Sequence, residues 1–369
     1  MPRSIYLDYN ATAPVRPAVI DAVAAVMSAV GNPSSVHGFG RRARARMEQA
    51  REQVAALVGA RPNQIVFTSG GTEANNLALT GVGHDRVLVS AVEHDSVLKA
   101  ADAEMIPVSA AGIVDLEALA KMLTSDGGPA LVSVMLANNE TGVMQPVAEV
   151  AAIAHANGAL VHCDAVQATG KVPVDFAALG ADLMSLSAHK FGGSPGVGAL
   201  VVSDRVALAS RQRGGGQERG RRAGTESLPA IVGFGVAAAQ VDLDAAADLA
   251  RWRDDLEARI GIAAPEAVIF GKGSPRLPNT TCVALPGLSS ELQVMGLDLA
   301  GVAVSAGSAC SSGKLQPSHV LRAMGADAAT AASAIRISLG WQTEAADIDR
   351  FIEAWSEIVI RSRQRVAAA

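Results

Sequence analysis

The stretch that decides the fold is DLMSLSAHKFGGSPGVGAL, residues 182–200. Its apolar run at 183–186 predicts a short buried strand, and four glycines and a proline at 192–198 predict a loop. Lys190 stands between the two. An unpartnered ammonium is costly at the end of a buried strand, whereas a desolvated lysine loses its proton more readily and becomes a nucleophile or base. Lys190 is therefore a candidate Schiff-base lysine, and the alternative is a lysine that extends to the surface.

Strand-like runs on both sides of this stretch alternate with segments of helical periodicity. The strand-like runs lie at 65–68, 86–91, 105–108, 130–136, 159–163 and 198–202, and the clearest helical segments at 115–124 and 146–157. This alternation predicts an α/β fold with a mostly parallel sheet and helices on both faces. A helical stretch at 228–260 then leads into mixed strands and helices. We predict a large domain at 15–257 and a smaller α+β domain formed by 1–14 and 258–369.

Composition excludes several classes of protein. The 369 residues carry a net charge of −5 without a long basic block, so nucleic acid is not an expected partner. No apolar stretch approaches the ~18 residues of a membrane span, and the first residues lack a signal core, so a cytoplasmic protein without a membrane partner is expected. The three cysteines form no CxxC pair, which argues against disulfides and zinc. In the run His162–Cys163–Asp164 neighbouring side chains alternate faces, so no metal site is predicted.

The run TSGGTE at 68–73 lies where a predicted strand meets a helix. Small residues, hydroxyls and exposed amides at a helix N-terminus favour binding of an anion, most often a phosphate. The alternative is an ordinary helix cap by Ser69 or Thr72. The run contains no Walker sequence, and the glycines at 192–198 do not open a dinucleotide-binding fold.

Asp164 ends the predicted strand at 159–163, at the sheet edge where α/β proteins bind ligands. A carboxylate there can keep a pyridine nitrogen protonated, which makes pyridoxal phosphate an electron sink, while Gln167 can contact a ring oxygen. A capping role for Asp164 is the alternative. His94, after the run 86–91, is a candidate stacking or acid/base imidazole, or else a structural histidine.

A phosphate site, an acid at a strand end and a lysine in S-x-H-K occur in the order of a pyridoxal-phosphate enzyme. The whole chain resembles the cysteine desulfurases (NifS/IscS type) of the class V aminotransferase group. Ten stretches carry the resemblance: LDYNATAP, NPSSVH, TSGGTEANN, EHDSV, ANNETGVMQP, HCDAVQATGK, LSAHKFGGSPGVGAL, GGGQERGRRAGTES, SAGSACSSG and AIRISLG. Any one of them alone is weak, but all ten together in this order exclude a chance match.

The resemblance implies an aspartate aminotransferase-like fold, pyridoxal 5'-phosphate as cofactor and a role for each matching residue. Lys190 is expected to carry the internal aldimine, Asp164 to face the pyridine nitrogen and His94 to stack on the ring. Asn139 and Gln167 are expected near the phenolic oxygen. The residues expected to hold the phosphate are Gly71, Thr72, Ser187 and His189, together with Thr225, which reaches the cofactor of the neighbouring subunit. That last role implies a homodimer.

Two residues are expected to bind the amino-acid substrate. Arg336 lies in an otherwise apolar strand, where a guanidinium needs a carboxylate partner. Bidentate pairing suits an amino-acid carboxylate, and an internal salt bridge is the alternative. Asn10, in LDYNATAP, is the second expected substrate-binding residue.

Cys310 decides which reaction is expected. It lies among small residues in SAGSACSSG, which favours an exposed thiol, whereas Cys163 and Cys282 are expected to be inert core residues. The resemblance implies that Cys310 takes sulfur from L-cysteine as a persulfide and passes it to an acceptor such as an iron–sulfur scaffold protein. No resident metal is expected, although Cys310 could contact an iron–sulfur cluster during transfer. The expected catalytic residues are thus Lys190, Cys310 and His94. The alternatives are a selenocysteine lyase, another class V enzyme, or a cofactor-binding protein without activity.

Overall fold

The computed structural model describes residues 4–125, 128–307 and 317–368, of which the last four are described as backbone only. The strands are β1 (Ile5–Tyr6), β2 (Ile65–Thr68), β3 (Arg86–Ser90), β4 (Glu104–Ile106), β5 (Ala130–Ser133), β6 (Leu160–Asp164), β7 (Leu183–Ser187), β8 (Gly198–Val202), β9 (Val268–Phe270), β10 (Thr280–Ala284), β11 (Val302–Ala303), β12 (Ser305–Ala306) and β13 (Ala334–Ser338). The helices are α1 (Pro17–Met27), α2 (Gly38–Leu57), α3 (Gly71–Gly81), α4 (Asp95–Leu98), α5 (Leu116–Ser125), α6 (Val147–Ala156), α7 (Phe176–Leu179), α8 (Leu228–Ala239), α9 (Ala246–Ala263), α10 (Ser290–Leu299), α11 (His319–Ala323), α12 (Ala328–Ala332) and α13 (Ala345–Ala368).

A seven-stranded sheet of order β2-β8-β7-β6-β5-β3-β4 forms the centre of the larger part. Strands β7, β6, β5, β3 and β4 are mutually parallel, and β8 runs antiparallel to both of its neighbours. Every residue of β5, β7 and β8 is buried, because helices and loops cover both faces. Apolar clusters fill both faces, so the mostly parallel sheet predicted from the alternating pattern is confirmed.

The carboxyl ends of the parallel strands lie at one edge of this sheet. There β6 ends at Asp164 and β7 ends at Ser187, which a single 3₁₀ turn (Ala188–Lys190) follows directly. His94, after β3, precedes helix α4 at the same edge. The strand order thus brings together residues that are far apart in the sequence.

The smaller part contains an antiparallel sheet of order β12-β13-β10-β9 and a separate apolar core. The single helix predicted at 228–260 is wrong, since α8 and α9 are separate helices. The side chain of Asp242 accepts the backbone N–H of Asp244 at 3.0 Å, a local turn that competes with helix continuation. Leu256 and Ile260 of α9 pack in the smaller core, whereas the division of the chain into domains at 257 stays a prediction.

The first residues of the chain, 5–8, contact the smaller part of the molecule. Strand β1 pairs in parallel with β11, and Asp8 forms a β-bridge with Ser338 of β13. The segment then turns toward the large sheet, where the backbone N–H of Ala13 donates to His189 O at 2.8 Å. Within the described ranges, no helix has the length and apolar character needed to cross a membrane.

Candidate active site

A cavity of about 250 Å³ opens at the carboxyl edge of the large sheet. Nine of its lining residues were predicted as site residues: Gly71, Thr72, His94, Asn139, Asp164, Gln167, Ser187, His189 and Lys190. Five were not predicted: Asn75, Ser96, Met135, Ala137 and Val166. The structure therefore brings most of the predicted cofactor residues to one cavity.

Lys190 has its amine at the wall of this cavity, with backbone carbonyls as its partners. Its Nζ donates to Asn10 O at 2.8 Å and to Ala11 O at 2.9 Å. Burial and the nearby charge of Arg336 lower the pKa of Lys190 to about 8, against the opposing charges of Asp164 and Asp8. The alternative of a surface lysine is wrong, since the amine lies inside and loses its proton more easily than an exposed one.

Asp164 has a fixed side chain and is 6% exposed. Its Oδ1 accepts the backbone N–H of Val166 at 2.9 Å, and its Oδ2 accepts Asn75 Nδ2 at 2.7 Å. The first contact closes a local turn, since the next helix of the described chain begins only at Phe176, and the second is a support that the sequence did not reveal. Asn75 lies one turn after Gly71 on α3, which places both on the side of the helix that faces the cavity.

Helix α3 offers its N-terminus to the cavity beside Thr72, Ser187 and His189. The predicted alternative, a cap by Ser69 or Thr72, is wrong: the N-cap is Gly70 without a side-chain bond. A Cβ on Gly71 would stand 2.8 Å from Val166 Cγ2, so only glycine fits there without displacing Val166. Burial and the charges of Lys190 and Lys171 lower the pKa of His189 to about 4, so its imidazole is neutral. Neutral donors and helix amides suit an anion.

His94 is held by the first turn of α4. Its Nδ1 accepts the backbone N–H of Ser96 at 3.0 Å and lies 2.8 Å from Ser96 Oγ. Burial lowers the pKa of His94, and the charge of Lys190 acts in the same direction while Asp164 opposes it. A neutral ring that accepts at Nδ1 carries its proton on Nε2. His94 therefore offers an N–H donor from its remaining nitrogen.

Arg336 lies on β13, adjacent to the cavity without lining it. Its Nη2 pairs with Asp8 Oδ1 at 2.7 Å, and its Nη1 donates to Asn139 O at 3.1 Å. The internal salt bridge considered as the alternative is thus present, and its carboxylate is that of Asp8, whose other oxygen accepts Ser305 Oγ at 2.8 Å. The buried Nε of Arg336 has no hydrogen-bond partner among the described residues. Substrate binding by Arg336 stays a prediction, and the buried Nε–H is one donor that could serve it.

Asn10 is fully engaged in hydrogen bonds, although it was predicted to bind substrate. Its Nδ2 donates to Asn139 O at 3.2 Å and to Thr280 Oγ1 at 2.9 Å. Its Oδ1 accepts Lys171 Nζ at 2.7 Å and Asn279 Nδ2 at 3.2 Å. All positions of the carboxamide are therefore occupied, and substrate binding, which stays a prediction, would require one of these bonds to be exchanged.

The remaining predicted residues lie away from the cavity or outside the described ranges. Thr225 is exposed and does not line the cavity of its own chain. Cys310 falls outside the described residues. Cys163 and Cys282 are buried free thiols whose pKa burial raises, as expected of inert core cysteines. In the described part of the chain, no group of three His, Cys, Asp or Glu side chains could hold a metal ion.

The cavity matches the chemistry of pyridoxal phosphate group by group. The N-terminus of α3 suits the phosphate, the carboxylate of Asp164 suits a protonated ring nitrogen, and the amine of Lys190 suits the aldehyde. Asn75 Oδ1, buried beside the cavity, has no hydrogen-bond partner among the described atoms. An unpartnered buried acceptor at this place is consistent with a site that is completed by a ligand.

Comparison with known proteins gives matches over nearly the whole chain. A model of the family described as aminotransferase class-V matches residues 5–351. An IscS-like cysteine desulfurase of Mycobacterium tuberculosis is 41% identical, and the match covers 99% of this chain and 98% of the relative. A cysteine desulfurase of Rhodobacter capsulatus is 45% identical, with coverage of 98% and 97%.

Solved structures agree with this result. An X-ray structure of a NifS-like protein from Rickettsia africae ESF-5 has a TM-score of 0.90 and 37% identity, and the match covers 97% of this chain and 99% of that one. A second NifS-like protein gives a TM-score of 0.88 at 36% identity. The predicted α/β fold of the pyridoxal-phosphate-dependent transferases is confirmed.

Proposed function

This chain belongs to the aminotransferase class-V family, and we propose that it is a pyridoxal-phosphate-dependent cysteine desulfurase. It would convert L-cysteine to L-alanine and leave the sulfur on Cys310 as a persulfide. The observation that supports this most is a single cavity that joins Lys190, an amine with a pKa of about 8, to the fixed carboxylate of Asp164. The names of full-length relatives, cysteine desulfurases at 41% and 45% identity, agree with it.

The cofactor would be held by the residues that line the cavity. We assign the phosphate to the N-terminus of α3 with Thr72, Ser187 and His189, and the ring nitrogen to Asp164. His94 would stack on the ring, while Asn139 and Gln167 would face the ring oxygen. Thr225, which is exposed, would reach the phosphate bound by a second subunit, so the proposed unit is a homodimer.

When bound, pyridoxal phosphate supplies an electron sink that stabilises negative charge on the substrate's α-carbon. The chain's own contribution is a base for the α-proton. With a pKa of about 8, about a tenth of the Lys190 amine is unprotonated at pH 7, far more than for an ordinary lysine. Arg336 would orient the substrate through its carboxylate, because Nε–H is a buried donor that has no other partner in the described residues.

Cys310 would carry out the sulfur transfer. Its thiolate attacks the substrate's sulfur, a new S–S bond forms, and the substrate's Cβ–S bond breaks with its electron pair going to carbon. The imidazolium form of His94, made more acidic by the lowered pKa of this residue, would supply the proton that completes the methyl group of alanine and return to the neutral ring. The persulfide then passes to an acceptor, for which an iron–sulfur scaffold protein in the cytoplasm is our proposal.

The test is to incubate purified protein, loaded with pyridoxal phosphate, with ³⁵S-labelled L-cysteine. We expect stoichiometric label on Cys310, an equal amount of L-alanine, and sulfide release only when a reductant is added. Cys310→Ala should retain the visible absorption of the bound cofactor but release no sulfide. Cys163→Ala, which removes a buried thiol from the core, is the matched control and should retain the activity.

Three results would contradict the assignment or redirect it. Full sulfide release by Cys310→Ala would exclude the persulfide role. Consumption of an added keto acid would indicate an aminotransferase. Turnover of selenocysteine with no turnover of cysteine would indicate a selenocysteine lyase.

A further inference from the structure

A second buried lysine, Lys171, lies behind the cavity and has no role in the proposed reaction. It is 8% exposed, and its Nζ donates to Gln167 Oε1 at 2.7 Å and to Asn10 Oδ1 at 2.7 Å. Both partners are neutral amide oxygens, and Lys171 forms no ion pair within the described residues. Burial and the charges of Lys190 and Arg336 lower the pKa of Lys171 well below its ordinary value. Burying an ammonium group without a countercharge costs free energy, so we expect Lys171 to have a specific structural or functional role.

The contacts of Lys171 fix the orientation of Gln167. A lysine amine is a donor toward both partners here, so the oxygen of the Gln167 amide must face Lys171. The nitrogen of the same amide therefore lies on the other side, where one N–H donates to Asn10 O at 2.9 Å. An amide nitrogen has two N–H groups, which leaves the second for the cavity that Gln167 lines.

Lys171 also supports Lys190 through a shared residue. Asn10 accepts Lys171 Nζ on its side-chain oxygen and Lys190 Nζ on its backbone oxygen, the latter at 2.8 Å. The backbone oxygen of Asn10 also receives Gln167. The two lysines and the glutamine are thus joined in one buried network around Asn10, and only Gln167 and Lys190 reach the cavity.

We propose that Lys171 is a positioning residue that holds Gln167 with an N–H donor, rather than its oxygen, toward the cavity. The consequence is selectivity for a ligand that carries an acceptor oxygen at this wall. The proposal rests on the proposed function, in which that acceptor is the ring oxygen of pyridoxal phosphate. An N–H donor favours the ionised form of the oxygen, and an amide oxygen in the same place would disfavour it.

The experiment is a pH titration of the visible absorption of the cofactor bound to each variant. Lys171→Met removes the donor and keeps the volume. Gln167→Met removes the N–H at the cavity, adds no charge and nearly keeps the volume. Each should raise the pH midpoint of the absorption change by about one unit, because one hydrogen bond to an ionised oxygen is lost. The double variant should rise no more than the larger single one, since both changes remove the same interaction. Lys121→Met, at an exposed position on α5, should leave the midpoint unchanged.

An unchanged midpoint in Lys171→Met, or fully additive shifts in the double variant, would overturn the proposal. Lys171→Gln, which keeps an N–H donor at this position, serves if Lys171→Met does not fold. Because the donor is kept, its midpoint should lie near the wild-type value, and a midpoint as high as that of Gln167→Met would be contrary evidence. A wild-type protein that develops no visible absorption with pyridoxal phosphate would instead contradict the proposed function.

Discussion

Replacement of Glu140 by glutamine should remove a pH-dependent loss of stability. Glu140 is 4% exposed, and its Oε2 accepts Ser318 Oγ at 2.5 Å. Burial raises the pKa of Glu140 from 4.5 to about 7, although the Ser318 bond and the charge of Arg336 oppose the rise. Ser318 caps helix α11 and follows the segment 308–316, which contains Cys310, so this contact fixes the chain at one end of that segment.

The size and sign of the effect follow from linkage. A carboxyl whose pKa is raised on folding contributes stability that is complete below pH 4.5 and is lost as the pH rises through about 7. At about 1.4 kcal/mol per pKa unit, the whole loss is about 3 kcal/mol, and nearly all of it falls between pH 4.5 and 8. Glutamine keeps the oxygen that accepts Ser318 and does not ionise. The free energy of unfolding of Glu140→Gln, relative to that of the wild-type protein, should therefore increase by about 3 kcal/mol as the pH rises from 4.5 to 8.

The measurement is the urea midpoint of both proteins at a series of pH values from 4.5 to 8. Taking the difference between the two proteins cancels the titration of every group that they share. Glu117→Gln, on α5 and not buried, is the matched control for the loss of one carboxyl group at an exposed position. A difference between Glu140→Gln and wild type that stays flat, or that falls as the pH rises, would refute the reasoning.

Two further predictions concern the charges around the site. Arg336→Met should raise the pKa of Lys190 above about 8, whereas Asp8→Asn should lower it, because the two charges act on Lys190 in opposite directions. The pH dependence of acylation of Lys190 in the cofactor-free protein measures both pKa shifts. Shifts of the same sign in the two variants would disprove the assignment. Glu218→Gln should lower the free energy of unfolding by about 3 kcal/mol, because the buried guanidinium of Arg51, paired with Glu218 at 2.8 Å, then keeps only the exposed carboxylate of Glu48 at 3.2 Å as a countercharge. A urea midpoint equal to that of the wild-type protein would exclude this role for Glu218.

The predicted site residues that the structure brings to one cavity lie where local rules decide the position. Asp164 and Lys190 follow apolar strands, and the carboxyl ends of parallel strands meet at one edge, so their convergence requires only the strand pattern. The N-terminus of α3 is equally local, since a strand, two glycines and a helix occur in sequence. The break between α8 and α9 also had a local signal in Asp242 and Asp244, but the apolar pattern on either side outweighed it.

The residues that were missed act through partners far away in the chain. The sequence indicates that Arg336 needs a carboxylate, but Asp8 stands 328 positions earlier and no spacing rule connects them. Asn75 supports Asp164 across 89 positions, and Lys171, besides its local bond to Gln167, donates to Asn10 across 161 positions. Contacts of this kind depend on how the N-terminal segment crosses the sheets, which a hydrophobic pattern does not specify.

The N-terminal segment connects the expected base to the expected substrate-binding residue. Asp8 bridges to Ser338 and holds Arg336, while the backbone oxygen of Asn10, two residues later, accepts the amine of Lys190. Residues 8–11 form a turn in which the backbone N–H of Ala11 donates to Asp8 O at 3.0 Å, and the polar groups of Asn10 are bonded, so Arg336 and Lys190 cannot be displaced independently. Because buried polar groups that lose their partners are costly, a substitution that moves Arg336 should also move Lys190, and the reverse. The separation between the carboxylate-binding group and the amine is therefore set by residues 8–11, which contribute no predicted catalytic group of their own.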